Sequence, residues 1–244
     1  VYNEHEKLIA HSRAFVHPPL PPFFDRLLYW RRTQRFRGVR GASVRIRPAR
    51  SFSPVPVPRY PFVMSLSLAG LPDLPVRAVL PVVARALAAN RPVVLTAPPG
   101  SGKTLLTAPS LLGADWLAGR RIVLLEPRRL AARAAARQMA RLLGEEVGRT
   151  VGYHVRLERR TGPATRIEIL TEGLLVQRLL RDPALEDTAL VIFDEFHERS
   201  LAADFGLALT LEARRVLRPD LRLLAMSATL DTAPLARHLG EAEV

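Results

Sequence analysis

The chain has no cysteine in its 244 residues and almost no lysine, since 34 of its 36 basic residues are arginine. Without cysteine there can be no disulfide framework, no thiolate metal site and no cysteine nucleophile. A chain of this kind suits a reducing compartment, so we expect a cytoplasmic location. The two lysines are Lys7 and Lys103.

Long uncharged apolar runs are also lacking. A membrane-spanning helix needs roughly 18 such residues, and Arg77 and Arg85 interrupt the most hydrophobic stretch, 74–89. We therefore expect a soluble protein with no membrane partner. The hydrophobic content of 48% is ample for a globular core.

Most of the excess positive charge lies in residues 1–63. This segment holds 12 basic and 3 acidic residues, with 9 of the 21 prolines, and shows no lasting helical or strand period. A basic arm that binds nucleic acid and an organelle-targeting peptide both fit this composition. We favour a third interpretation, in which 1–63 is an irregular leader outside the natural protein, because Val1 is an unusual first residue and the composition changes at Met64. The domain would then be 64–244.

From residue 71 onward, short apolar runs alternate with helical patterns. Continuous apolar strands that alternate with helices indicate a mostly parallel sheet with helices on both faces, an α/β fold. The predicted strands are 93–96, 121–125, 150–155, 166–170, 189–193 and 221–226, and the predicted helices are 76–89, 104–112, 130–143, 172–182 and 201–217.

The strand 93–96 leads into Pro98-Pro99-Gly100-Ser101-Gly102-Lys103-Thr104. A glycine-rich turn between a strand and a helix points backbone N–H groups and the helix N-terminus at a polyphosphate. Lys103 would reach the β- and γ-phosphates, and Thr104 would hold Mg²⁺. Ala97 occupies the position where this pattern has its first glycine, and a chance Gly-Ser-Gly turn is the alternative. The predicted nucleotide-binding residues are Pro99, Gly100, Ser101, Gly102, Lys103 and Thr104.

A second apolar strand ends in Asp194-Glu195. Parallel strands bring their carboxyl ends to one crevice, so Asp194 could share Mg²⁺ with Thr104. Glu195 could then orient or deprotonate an attacking water. The alternative is a helix N-cap with favourable first-turn charge. With Lys103, the two carboxylates are the predicted catalytic residues.

Two further features lie beside these strand ends. Arg128 and Arg129 stand where a strand passes into a helix, so they could bind phosphates of a nucleic acid. A solvated arginine pair explains them equally well. His197, two residues after Glu195, is either a sensor between the nucleotide and another site or a plain surface residue.

These motifs together resemble the first RecA-like lobe of a superfamily 2 helicase of the DEAH type, over residues 71–244. Gly100–Thr104 resembles motif I, Pro127–Ala132 motif Ia, Thr171–Gly173 motif Ib, Asp194–His197 motif II and Ser227–Thr229 motif III. Motif II usually reads Asp-Glu-Ala-His, and here Phe196 takes the place of the alanine. This variant is similar to the motif in a bacterial branch of the family.

The resemblance implies an ATP-dependent RNA helicase or remodelling ATPase that uses ATP and Mg²⁺. It implies that Arg128, Arg129 and Thr171 contact the nucleic-acid backbone. It also implies that Ser227 and Thr229 couple hydrolysis to strand movement, and His197 is a third candidate for coupling because of its position after Glu195.

Such helicases have a second lobe that supplies arginine fingers, and the sequence stops at Val244, shortly after motif III. Loss of such a finger can cost about 10³- to 10⁵-fold in turnover, so we expect this chain alone to bind ATP weakly and to hydrolyse it poorly. A nucleic-acid-binding module without turnover is the alternative. An ABC-type motor would show Leu-Ser-Gly-Gly-Gln, which the sequence lacks.

Overall fold

Strands and helices alternate along most of the chain. A computed structural model describes residues 71–228, 233–239 and 242. Within them the strands are β1 (Val93–Thr96), β2 (Arg121–Glu126), β3 (Val151–Val155), β4 (Glu158–Arg160), β5 (Ile167–Thr171), β6 (Thr188–Phe193) and β7 (Arg222–Ser227). The α-helices are α1 (Leu80–Ala88), α2 (Lys103–Ser110), α3 (Arg129–Leu142), α4 (Glu172–Arg181), α5 (Leu201–Val216) and α6 (Ala233–His238).

The strands form one seven-stranded sheet in the order β1-β7-β6-β2-β5-β3-β4. Neighbouring strands are parallel except for the β3–β4 pair, which is antiparallel. The prediction of a mostly parallel α/β sheet is therefore confirmed. Strands β1, β7, β6, β2 and β5 all end at the same side of the sheet, called the carboxyl edge below.

The apolar composition of the central strands explains their position. Every residue of β6 and β7 is buried, as are five of the six residues of β2. Strands covered on both faces need apolar side chains on both faces, and Val, Ile, Leu and Phe supply them here. The central strands therefore hold their carboxyl ends in a fixed arrangement, which positions the polar residues that follow.

The elements depart from the sequence-based predictions in three places. The predicted helix 76–89 is a 3₁₀ turn, Pro75–Ala78, followed by α1. Pro81 lies in the first turn of α1, where a missing N–H costs nothing. Strand β4 was not predicted, because its sequence Glu-Arg-Arg is entirely charged, and α6 was not predicted either.

The opposite side of the sheet, called the amino edge, is rich in arginine contacts. Arg222 donates to the carbonyl of Leu87 at 2.7 Å, and its guanidinium lies 4.4 Å from the centre of the Trp116 ring. Arg218 donates to the carbonyls of Ala184 and Leu185 at 3.0 and 2.9 Å. These arginines thereby join the end of α1 and the loop before β6 to this edge of the sheet.

A buried carboxylate lies near the same edge. Glu168 on β5 is fully buried, and Arg178 donates to it at 2.9 Å and Arg121 at 3.2 Å. Pairing of this kind is what allows a carboxylate to stay in a core. Three neighbouring elements, β2, β5 and α4, are thereby joined.

The predicted leader, 1–63, lies outside the described residues. Among the helices that the structure describes, none is both long enough and apolar enough to cross a bilayer.

Candidate nucleotide site

The loop between β1 and α2 has a backbone that only glycine adopts readily. Gly100 and Gly102 have φ angles of 76° and 87°, in the left-handed region where other residues are strained. A Cβ on Gly102 would also lie 2.6 Å from Leu74 Cδ1. The Gly-Ser-Gly sequence is therefore required by the loop's shape.

The loop is held from both sides by backbone hydrogen bonds. The N–H of Val76 donates to the carbonyl of Ser101 at 3.1 Å, and the N–H of Ala97 donates to the carbonyl of Ser227 at 3.1 Å. The Ser101 hydroxyl is buried and has no hydrogen-bond partner within the described part of the chain. Pro99 and Gly100 are exposed, so the loop presents backbone to solvent while its base is fixed.

The structure brings the two predicted halves of the site into direct contact. Lys103 Nζ lies 2.9 Å from Glu195 Oε1, and the lysine side chain is only 4% exposed. Thr104 donates its hydroxyl hydrogen to the Asp194 carboxylate, and the N–H of Glu195 donates to Asp194 Oδ1 at 2.8 Å. The register of β1, β7 and β6 produces this contact across some ninety residues of sequence.

Sequence reasoning missed a third carboxyl group here, Glu126. This residue ends β2 beside β6, is buried, and lies close enough to Asp194 for a side-chain hydrogen bond to contribute to its pKa. Burial, and then the negative charges of Asp194 and Glu195, raise the pKa of Glu126 to about 8. Burial also raises the pKa of Asp194. The available signal was an acidic residue at the end of an apolar strand.

The residues fit a magnesium ion. The Thr104 hydroxyl and the Asp194 carboxylate are in contact, and both are hard oxygen ligands of the kind Mg²⁺ takes. In the described residues no group of three or more His, Cys, Asp or Glu side chains is arranged to hold a metal. Mg²⁺ is usually held by one or two protein oxygens together with water and phosphate, and Thr104 and Asp194 could supply two.

After Asp194 the chain makes a tight turn that begins no long helix. Phe196–Glu198 form a 3₁₀ turn between Glu195 and Arg199, whose φ angles are 48° and 49°. The N-cap of α5 is Ser200, which accepts from the N–H of Ala203 at 2.9 Å. The N-cap interpretation of Asp194-Glu195 is therefore wrong for α5. We call residues 195–199 the motif II turn.

The phenylalanine in the motif II turn has a packing role. Phe196 is buried and packs edge-on against Phe193, with ring centres 6.0 Å apart. The Arg199 guanidinium lies 5.6 Å from the centre of its ring. The turn is thus anchored to the core at its middle residue.

His197 lies between the motif II turn and the end of β7. The N–H of Ala228 donates to His197 Nδ1 at 3.2 Å, and the same nitrogen lies 3.4 Å from Glu195 Oε2. An accepting Nδ1 places the ring proton on Nε2. Ser227 is buried at the end of β7, and Thr229 lies outside the described residues.

The predicted nucleic-acid residues lie on two neighbouring strand ends. Arg128 and Arg129 follow β2 and are exposed, and Thr171 ends β5, where it pairs in register with Glu126. Arg128 donates to the Glu198 carboxylate at 3.2 Å. Ser200 also donates to the carboxylate of Glu172, which follows Thr171. The predicted residues therefore lie at the ends of two neighbouring strands, one of which ends in Glu126. We call Lys103, Thr104, Glu126, Asp194 and Glu195 the nucleotide cluster.

The sequence and the fold are both similar to known helicases. The chain is 51% identical over 172 residues to the ATP-dependent RNA helicase HrpB of Escherichia coli, covering 70% of this chain and 21% of that protein. It is 37% identical over 162 residues to the DExH-box ATP-dependent RNA helicase DExH3 of Arabidopsis thaliana, covering 65% and 14%. The chain thus spans about a fifth or less of these relatives.

A crystal structure of the Escherichia coli DEAH/RHA helicase HrpB matches with a TM-score of 0.67 and 50% identity, covering 70% of this chain and 22% of that one. The Phe196 variant of motif II, with the Leu124–Arg133 segment and Val151-Gly152-Tyr153, indicates a likeness to HrpB on sequence alone. The comparisons confirm it. The RecA-like fold is confirmed by the same structure.

The DEAD/DEAH box helicase family matches residues 80–237. Since this match covers well over half of the chain, the chain belongs to the DEAD/DEAH box helicase family.

Proposed function

We propose that residues 64–244 are the first RecA-like lobe of an ATP-dependent RNA helicase or remodelling motor, which couples ATP hydrolysis to movement along nucleic acid. The observation that carries this proposal is the nucleotide cluster. In it the phosphate-loop residue Lys103 lies 2.9 Å from the motif II carboxylate Glu195, and Thr104 donates to Asp194. A cation, a hydroxyl and two carboxylates at one phosphate loop are what phosphoanhydride hydrolysis requires.

Lys103 has two possible partners in this mechanism. In the structure it pairs with Glu195. When ATP binds, the ammonium group turns to the β- and γ-phosphates, which carry more negative charge than a single carboxylate. This exchange releases Glu195, which then orients the attacking water and accepts its proton.

Thr104 and Asp194 would hold Mg²⁺, directly or through water. The ion would neutralise charge that develops on the phosphate oxygens. The N–H of Glu195 fixes the Asp194 carboxylate through Oδ1, so the other oxygen stays with Thr104. The backbone N–H groups of residues 99–104 would bind the phosphates themselves.

The nucleic acid would lie across the carboxyl ends of β2 and β5. Exposed arginines at the start of a helix bind phosphates through both the guanidinium and the helix N-terminus. Arg128, Arg129 and Thr171 lie on this surface. His197 supports a coupling role because it contacts both Glu195 and the backbone that follows Ser227. Thr229 keeps the coupling role that the resemblance implies.

The test is Glu195→Gln in the full-length product of the gene. We expect the substitution to abolish ATP hydrolysis and to preserve binding of a fluorescent ATP analogue, because the amide cannot accept a proton from water. Glu212→Gln on α5 is the matched control, since Glu212 pairs with the exposed Arg215, and it should hydrolyse ATP at the wild-type rate.

If the wild-type protein binds ATP and RNA but hydrolyses none, the enzyme proposal fails and a binding module without turnover replaces it. If Glu195→Gln hydrolyses ATP normally, the assignment of Glu195 fails while the enzyme proposal stands.

A further inference from the structure

We infer that Glu198 is a positioning residue that competes with nucleic-acid phosphate for Arg128 and thereby links RNA binding to the nucleotide cluster. This inference rests on the proposed function and adds a residue and a route to it. The observation behind it is the ion pair between Arg128 at the end of β2 and Glu198 in the motif II turn. Their closest side-chain atoms are 3.2 Å apart.

The pair is placed where a phosphate can reach it. The side chain of Arg128 is 73% exposed and that of Glu198 is 36% exposed. An exposed ion pair of this kind is weak. A phosphate makes stronger, charge-assisted hydrogen bonds with a guanidinium. A nucleic-acid backbone that reaches Arg128 therefore replaces Glu198 as its partner.

The motif II turn is short enough to carry this change to the nucleotide. Glu195 and Glu198 are three residues apart, and Glu195 holds Lys103 at 2.9 Å. Both Glu195 and Arg199 have left-handed backbones although neither is glycine. Such residues stay strained only while surrounding contacts hold them. Phe196 keeps the middle of the turn on the core and Arg199 pairs with Asp204, so losing the Arg128 contact acts mainly on the side-chain arrangements open to Glu195 and Glu198.

The far end of the turn is fixed. Ser200 accepts from the N–H of Ala203, which caps α5, and donates to Glu172 at the start of α4. Any rearrangement is therefore confined to residues 195–199. The group most affected is Glu195, whose release from Lys103 frees the ammonium group for ATP. RNA and ATP would thus favour each other's binding, and the coupling must be equal in both directions.

The experiment measures binding of a fluorescent single-stranded RNA to the full chain by anisotropy, with and without a non-hydrolysable ATP analogue. Glu198→Gln should bind RNA up to about five-fold more tightly than wild type, because the competitor for Arg128 has lost its charge. It should also bind the analogue more tightly without RNA. The factor by which RNA and analogue strengthen each other should fall towards one.

Two further proteins separate this route from a simple charge effect. In the background of Arg128→Ala, Glu198→Gln should have no effect on RNA affinity, since there is no guanidinium left to compete for. Glu212→Gln removes the same charge from a surface pair that touches neither site. It should leave RNA affinity, analogue affinity and their coupling unchanged.

The inference is overturned if Glu198→Gln tightens RNA binding equally with and without Arg128. It is also overturned if the coupling between RNA and analogue stays at the wild-type value. In both cases RNA binding by the wild-type chain leaves the proposed function intact. A wild-type chain that binds no RNA overturns the proposed function, and the inference with it.

Discussion

Glu126 should make the folded state less stable as the pH rises. Its pKa is about 8 in the folded chain against an ordinary value of 4.5. Below pH 4.5 the carboxyl group is protonated in both states and contributes no difference. Between the two values the unfolded chain ionises while the folded chain keeps its proton. The free energy of unfolding therefore falls with rising pH across this interval.

The size of the effect follows from the difference in pKa. Each unit of difference corresponds to about 1.4 kcal/mol. Over the interval from 4.5 to 8 the loss reaches roughly 5 kcal/mol, comparable with the whole stability of many domains. Glu126→Gln keeps the volume and can still donate a hydrogen bond to Asp194, but it cannot ionise. It should match wild type at pH 4.5 and be more stable at pH 8.

Urea unfolding at half-unit pH steps from 4.5 to 8 measures this, in EDTA and without nucleotide so that no cation neutralises the cluster. Groups away from the cluster titrate equally in both proteins and cancel in the difference, whereas the difference reports Glu126 together with the carboxyl group of Asp194 that titrates with it. Glu212→Gln, with its exposed pair, should follow the wild-type curve at every pH. The reasoning is refuted if Glu126→Gln runs parallel to wild type or is the less stable protein at pH 8. Either result would mean that Glu126 is ionised in the fold.

Two further substitutions test the backbone of the site. Gly102→Ala should cost about 1 to 3 kcal/mol and at least ten-fold in nucleotide affinity, because it combines a left-handed φ with a collision against Leu74. Gly144→Ala shares the positive φ but meets no atom within 4 Å, so unchanged affinity in this control would assign the loss to the loop. Phe196→Ala should cost about 3 to 5 kcal/mol in urea unfolding, since it removes a buried ring. Phe205→Ala, at a site 41% exposed, should cost under about 1 kcal/mol, and equal losses in the two proteins would contradict the packing argument.

The parts of the fold that sequence predicted well are those with unmixed apolar patterns. Strand β6 is apolar after its first threonine, and it ends at Phe193 as predicted. Strand β4 gave no such signal, because its pairing with β3 comes from hairpin geometry and from contacts such as that of Tyr153 with Glu158. The spacing of apolar residues in a sequence indicates strands that are buried on at least one face, and β4 is mostly exposed.

The residues of the site likewise divide into those that the sequence could predict and those that it could not. Lys103, Thr104 and Asp194 could be predicted because their spacing within each motif is fixed by backbone chemistry. Glu126 and Glu198 could not, since their environments depend on which strands are neighbours, and strand order is not written in any local pattern. Their roles arise from the β6-β2 pairing. The assigned roles of all these residues remain predictions until the substitutions are made.

The arginine contacts at the amino edge change what the net charge of +13 means. Arg218 and Arg222 are held by carbonyl oxygens at the side of the sheet opposite the nucleotide cluster, and Arg178 is held by buried Glu168. To bind a phosphate backbone, each of these guanidinium groups would have to give up the carbonyl or carboxylate partner that it has in the fold. A count of the arginines in residues 71–228 thus overstates the positive charge that this part of the chain can offer to nucleic acid. The number of counterions released on RNA binding should follow the few exposed arginines of the carboxyl edge.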